Sequence, residues 1–148
     1  MRITGGDTDA PAVVRYAFWA WVVAAAIGLL DAVLLWSVKN SLVDQAIKNN
    51  KDPAITADQI KDGANNLVMF MLITSILFAA LYVYFAYRAR AGVKSARTTL
   101  VVVGIVHLLL CLLIPVSLYV LVAVLLSIVG GALLYVPRPA RDYYNPKP

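Results

Sequence analysis

Long apolar stretches alternate with short polar ones along the chain, and this pattern predicts four membrane-spanning helices. The first stretch runs from about residue 16 to 38 and the second from about 66 to 87. Residues 98–136 are almost continuously apolar. As one helix they would extend about 58 Å, nearly twice the roughly 30 Å hydrocarbon core. Pro115 lies near the middle of this stretch, so we divide it into spans 98–115 and 118–136, joined by a tight turn.

The segment between the first two spans, residues 39–65, has helical character. Apolar residues recur at helical spacing near its start, which predicts a short amphipathic helix that extends the first span; they are Leu42, Val43, Ala46 and Ile47. Pro53 and the polar residues before it end this helix. Thr56 with Gln59 three positions later is typical of a capping box, so the second helix begins there.

The predicted fold is therefore an all-α, polytopic membrane protein with four transmembrane helices arranged as two antiparallel hairpins. Residues 1–15 are the N-terminal segment, residues 16–136 the transmembrane domain, and residues 39–65 its outer loop. Residues 137–148 form a proline-rich tail, which we expect to be extended or disordered.

Composition supports a membrane protein. Hydrophobic residues make up 61% of the 148 residues and charged residues 14%, whereas soluble domains average about 45–50% and about 25%. Such an excess of apolar surface has to face lipid. The net charge of +5 comes from Lys and Arg beside the spans, where these residues set topology and contact anionic lipid, so we expect no nucleic-acid partner.

The distribution of Lys and Arg predicts the orientation. Nine of them lie on the side of the two termini and four on the side of the 39–65 loop. The positive-inside rule then places both termini in the cytoplasm. We expect the protein to lie in the plasma membrane. Aromatic residues near the inner ends of the spans, Trp21 and Tyr82 among them, are typical of a membrane boundary.

Two stripes of small residues follow helical spacing. The first consists of Ala20, Ala24, Gly28 and Ala32, and the second of Ala123, Ser127 and Gly131. Small side chains allow two helices to approach closely in lipid, where close packing drives association. The stripes predict either packing within the four-helix bundle or a seam for a second copy or a partner protein.

Asp31 lies within the first span, where a carboxylate is costly and usually faces the bundle or a water-filled cavity. One interpretation is a proton-coupled carboxylate or a cation site. A second is a protonated carboxyl group hydrogen-bonded to a neighbouring helix. In a third, the helix is shifted so that Asp31 reaches interfacial water.

His107, the only histidine, lies in the middle of the third span and shares a helix face with Gly104 and Cys111. One His and one Cys do not make a metal site, which needs three or four ligands, so we expect neither a metal nor another cofactor. His107 is interpreted as a bundle-facing residue with a hydrogen-bond partner. The alternative is a direct Asp31–His107 pair.

The segment from Arg88 to Arg97 contains four cations, Arg88, Arg90, Lys94 and Arg97, which we expect to contact lipid headgroups or an acidic partner at the inner surface. The order basic–Gly–x–x–x–Ala–Arg resembles a turn between spans two and three of small uncharacterised four-helix membrane proteins of actinobacteria. An aromatic residue often precedes Ala-Arg in that turn, and Ser95 stands there in this chain. The resemblance implies the same topology and no particular activity.

The sequence contains no phosphate-binding loop, no Ser/His/Asp set and no Glu, so we expect no enzyme and no catalytic residue. The leading hypothesis is an accessory or scaffold subunit of a plasma-membrane assembly, with a membrane-protein partner or as a homo-oligomer. The alternative is a small oligomeric proton- or cation-coupled transporter that uses Asp31, with His107.

Overall fold

A computed structural model describes residues 10–113 and 117–146, which form helices and no strands. The helices are α1 (Ala12–Asn49), α2 (Ala57–Arg90), α3 (Lys94–Cys111), α4 (Leu118–Tyr135) and α5 (Arg138–Tyr144). The prediction of an all-α protein is confirmed. The first four helices are each long and apolar enough to cross a membrane. The turn expected at Pro115 lies outside the described residues.

The four long helices pack around a shared interior. α1 has its most extensive contacts with α2 and α4, and α3 packs mainly against α2 and less against α4. Only 17–22% of the residues in the most apolar window of each helix are buried inside the protein. Most of the apolar side chains in these windows therefore lie at or near the outer surface of the bundle, as is typical of helices that face lipid.

The predicted helical extension of the first span is confirmed. α1 continues without a break to Asn49, and seven non-helical residues separate it from α2. Thr56 and Gln59 form the predicted capping box: the Thr56 hydroxyl accepts from the Gln59 N–H at 3.2 Å, and the Gln59 side chain accepts from the Thr56 N–H at 2.9 Å. α1 extends 18 residues past Asp31, roughly 27 Å along the helix axis.

The turn between α2 and α3 depends on Gly92, whose φ is +84°. Its N–H donates to the Ala89 carbonyl and that of Val93 to the Arg88 carbonyl. This is a Schellman motif, which ends a helix with a residue in the left-handed region that glycine adopts without strain. α3 therefore begins at Lys94, four residues before the predicted span.

The expectation of an extended or disordered tail is wrong for residues 138–144. These residues form α5, and its Ala140 and Tyr144 are buried. The proline content suggested a tail without helix, but Pro139 lies in the first turn, where a missing N–H costs no hydrogen bond. Two tyrosines anchor α5 to the end of α2: the Tyr143 hydroxyl donates to the Arg90 carbonyl at 2.9 Å, and that of Tyr144 to the Ala89 carbonyl at 2.6 Å.

Candidate binding cavity

A cavity of about 330 Å³ lies between the four long helices. Most of the side chains that line it are apolar. Asp31 and His107 both line it, and the other oxygen-bearing side chains in its wall are Thr74, Ser75, Tyr82, Ser127 and Tyr135. The helices thus enclose a mainly apolar space with a few polar groups, which is the general form of a small-molecule site.

Small residues create this space. Five of the seven residues in the two predicted stripes line the cavity; they are Ala24, Gly28, Ala123, Ser127 and Gly131. A Cβ atom at Gly28 would meet no atom within 4 Å, so the missing side chain leaves open volume there. Ala32 is buried and Ala20 half-buried. Since α1 and α4 pack together, the placement agrees with the interpretation of packing within the bundle.

Trp21 closes one end of this space. It is 2% exposed and fits between two glycines of other helices. A Cβ atom at Gly104 would lie 2.8 Å from its Cη2 atom, and one at Gly130 would lie 2.7 Å from its Nε1 atom. The indole faces the bundle interior, because the absence of a side chain at both glycines leaves room for it; its place at the membrane boundary stays a prediction.

His107 has a partner that the sequence did not identify. Its Nδ1 atom lies 2.6 Å from the Tyr82 hydroxyl oxygen, and the tautomer of His107 determines which of the two atoms donates. Its ring stacks on Phe78, with centroids 4.2 Å apart and planes 13° apart. Tyr82 is 3% exposed, so its ring also faces the bundle interior, and its place at the membrane boundary stays a prediction. The interpretation of His107 as a bundle-facing residue with a hydrogen-bond partner is confirmed.

Asp31 also bonds to a neighbouring helix. The Ser117 hydroxyl donates to Asp31 Oδ1 at 2.8 Å and accepts from the Val120 N–H at 3.2 Å, which makes Ser117 the N-cap of α4. Asp31 and His107 therefore have different partners, and the direct pair considered from the sequence is not formed. Gly104, His107 and Cys111 all line the cavity, so their predicted shared face is confirmed.

The basic segment after α2 does not behave as one surface. Arg88 and Lys94 are exposed, but Arg97 is 6% exposed. Its guanidinium lies over the rings of Tyr135 and Tyr144, at 4.1 and 4.6 Å, and donates to the Leu134 carbonyl at 3.3 Å. The expected headgroup contact of Arg97 is therefore wrong, because Arg97 holds α4 and α5 together. Arg90 is half-buried, with its guanidinium 5.0 Å from the centre of the Phe18 ring.

Sequence reasoning found Asp31 and His107 and missed Trp21, Tyr82 and Ser117. A spacing signal exists for Tyr82, since Ala79 precedes it by three residues, Ala86 follows four residues later and Ala89 three after that, and all are buried like it. Aromatic residues near span ends fit a membrane boundary and a bundle interior equally well. To distinguish the two places for an aromatic residue, one must know whether neighbouring helices carry glycine at the same depth as its ring.

The polar side chains of the cavity wall are few and do not form a metal-binding cluster among the described residues. Among residues 10–113 and 117–146, no three His, Cys, Asp or Glu side chains are grouped closely enough to hold a metal ion. The polar groups present supply hydrogen bonds and one carboxyl group, within a wall of aliphatic and aromatic side chains. No protein-family model matches the chain, and comparisons with curated proteins and with solved structures give no similar protein.

Proposed function

We propose that this chain is a non-enzymatic membrane protein that binds a small organic molecule in the cavity between its four long helices. The cavity is the observation that carries this proposal. Its volume of about 330 Å³ lies within the range of ligand pockets, roughly 300–1,000 Å³. Open volume at Gly28 and few polar groups in an apolar wall are features of a pocket that takes up an apolar or amphipathic molecule.

The proposal includes an arrangement in the membrane. The helices cross the plasma membrane as two antiparallel hairpins, with both termini in the cytoplasm. The supporting observation is that Arg97, Tyr135 and α5 meet at the basic end of the bundle, whereas the residues between α1 and α2 carry both Lys and Asp. Single cysteines at Lys51 and Arg141, in a Cys111→Ser background, test this orientation. A membrane-impermeant maleimide applied to intact cells should label the first and spare the second, and the reverse pattern would contradict it.

The protein could bind the molecule only, or it could also carry the bound molecule across the membrane as a transporter. Transport follows the sequence-based alternative, with Asp31 as the group that binds a proton or a cation and with several copies assembled together. Asp31→Asn separates these two functions. If the protein is a transporter, Asp31→Asn should assemble normally but no longer carry the bound molecule across the membrane of proteoliposomes. If it only binds the molecule, neither the wild type nor Asp31→Asn should carry it across.

The accessory-subunit hypothesis remains a second candidate, because α1 continues 18 residues past Asp31, whose carboxylate accepts from the N-cap residue of α4. Leu42 on α1 and Ile55 in the connection between α1 and α2 are 46% and 45% exposed, which suits contact with another protein. A gentle-detergent pull-down of the tagged native protein, followed by mass spectrometry, tests it. Membrane proteins recovered in fixed stoichiometry would favour the accessory subunit, and a clean homo-oligomer would count against it.

A substitution that fills the cavity tests the proposed binding function. Leu at position 28 would extend into open volume, and Leu at position 63 is the matched control because a Cβ atom there also meets nothing within 4 Å and Gly63 does not line the cavity. The purified proteins are screened by thermal unfolding against a panel of small amphipathic molecules. We expect molecules that stabilise the wild type and Gly63→Leu but not Gly28→Leu. If Gly28→Leu responds like the wild type to every stabilising molecule, the cavity is not the binding site.

A further inference from the structure

We infer that the molecule this cavity accepts is a lipid-soluble organic cation, with its charge at Asp31 and its apolar part against the aromatic side chains of α2. This inference rests on the proposed binding function and specifies the chemical class of the ligand. Three features of the cavity support it: the charges in its wall, the partner of Asp31, and the aromatic rings.

The charges in the wall favour a cation. Asp31 is the one acidic side chain among the described residues that line the cavity, and no Lys or Arg is among them. The other titratable groups in the wall are His107, Cys111, Tyr82 and Tyr135. A lone carboxylate in an apolar space is stabilised by a single opposite charge brought close to it. A monocation with an apolar body meets both requirements.

The surroundings of Asp31 hold the carboxylate in place and leave it able to accept a further hydrogen bond or to pair with a cation. Ser117 is its only hydrogen-bond partner among the described residues, and no ion pair forms there. Because Ser117 caps α4, Asp31 lies beside the N-terminus of that helix, which is the positive end of its dipole and favours a negative charge. The bond fixes Oδ1, so Oδ2 remains as the group for a ligand.

Aromatic rings supply the rest of the site. Phe70 and Phe78 of α2 line the cavity, and aromatic faces attract alkylammonium groups as well as apolar ones. Trp21, roughly 15 Å from Asp31 along α1, and Tyr82, which packs on it, form the far end of the cavity. Quaternary and substituted ammonium compounds are recognised by this combination of rings and a carboxylate. Inorganic cations fit less well, because their hydration shell needs more oxygen ligands than one carboxylate provides.

The part of the cavity wall formed by α3 and α4 is the reason why we expect the ligand to be soluble in lipid. Among the four long helices, α3 and α4 have a less extensive contact than α1 with α2, α1 with α4 or α2 with α3. Ile105 on α3 and Ile128 on α4 both line the cavity, yet they are 52% and 56% exposed. Side chains that line the cavity are thus also exposed on the outer surface of the bundle, where a molecule dissolved in the bilayer would meet them.

Cys111 provides a site-specific measurement, since it lines the cavity and is the only cysteine. In nanodiscs of zwitterionic lipid, the rate of Cys111 alkylation by N-ethylmaleimide is followed against the concentration of three probes. These are benzyltrimethylammonium, its neutral isostere neopentylbenzene, in which carbon replaces nitrogen, and tetramethylammonium, which lacks the ring. The proteins compared are the wild type and Asp31→Asn, which keeps an oxygen to accept from Ser117.

We expect benzyltrimethylammonium to protect Cys111 with a dissociation constant about tenfold or more below those of the other two probes, and Asp31→Asn to abolish this preference. Equal protection by the cation and the isostere would overturn the inference and leave the binding function standing. Equal protection by tetramethylammonium would overturn the requirement for an apolar part, and an unchanged preference in Asp31→Asn would overturn the role of the carboxylate. Protection by none of the probes would count against both proposals.

Discussion

The indole of Trp21 lies so close to Gly130 that a Cβ atom at position 130 would be 2.7 Å from Nε1. Gly104 on α3 has the same relationship with the other edge of the ring, at 2.8 Å from Cη2. One side chain of α1 therefore fills a space formed by two glycines on different helices. This contact explains how α1 and α3 are held together although their backbones are not direct neighbours in the bundle.

Alanine at either glycine should destabilise the bundle. The added methyl group meets a ring held on both sides, and overpacking of this kind costs about 1–3 kcal/mol, more than the roughly 0.5–1 kcal/mol that Gly→Ala contributes within a helix. Thermal unfolding in detergent should show lower midpoints for Gly104→Ala and Gly130→Ala. Gly63→Ala, where nothing lies within 4 Å, is the control and should match or exceed the wild type. A Gly130→Ala midpoint equal to that of Gly63→Ala would contradict the close fit.

The local features of this fold follow from the sequence. Thr56 and Gln59 predicted the start of α2 because a capping box involves residues three apart, and the position of Asp31 and His107 in apolar spans predicted that they face the bundle. Features that join distant parts of the chain were not accessible in this way. The packing of Trp21 requires that Gly104 on α3 and Gly130 on α4 lie at the same depth as Trp21 on α1. The burial of Arg97 requires α5, whose prolines argue against a helix unless their place in its first turn is known.

Loss of the Ser117 hydroxyl should affect stability more than loss of the Asp31 charge. Ser117→Ala removes the N-cap of α4 and the hydrogen bond to Asp31, and removal of an N-cap alone costs about 0.5–2 kcal/mol. Asp31→Asn retains an acceptor at Oδ1 and should change the unfolding midpoint less. Ser37→Ala is the control, because the Ser37 hydroxyl donates only to the Leu34 carbonyl of its own helix at an exposed position. Equal midpoints for Ser117→Ala and Ser37→Ala would show that the cap and the bond to Asp31 contribute little.

Arg97→Lys should release α5, even though it preserves the charge. A planar guanidinium lies over two rings and donates to a carbonyl at once, whereas an ammonium group does not stack on a ring in this way. Limited proteolysis should cut residues 137–146 faster in Arg97→Lys than in the wild type. Arg88→Lys is the matched control, since Arg88 is exposed and 6.0 Å from the Tyr84 ring. Equal cleavage of the two variants would contradict the role of the Arg97 guanidinium in docking α5.

The docking of α5 should weaken at high pH because of Tyr144. Burial raises the pKa of its phenol above the usual value of about 10, with Tyr143 and Tyr135 adding to the effect and Arg97 opposing it. A group whose pKa is higher in the folded state binds its proton more tightly there, so its contribution to stability is complete below about pH 10 and declines as the pH rises beyond it. Within that range the phenol must ionise when α5 detaches.

Tyr144→Phe isolates this contribution from the other groups that titrate at high pH. The variant loses the hydrogen bond to the Ala89 carbonyl, which costs about 0.5–1.5 kcal/mol at neutral pH, but it has no proton to lose. Proteolytic cleavage of residues 137–146 should therefore be faster in Tyr144→Phe than in the wild type at pH 8. The difference in cleavage rate between the two proteins should shrink above about pH 10, because only the wild type has a Tyr144 phenol that can ionise and weaken the docking of α5. Tyr16→Phe, at a position that is 65% exposed, should follow the wild type throughout, and a constant difference across the whole range would contradict the burial of the Tyr144 phenol.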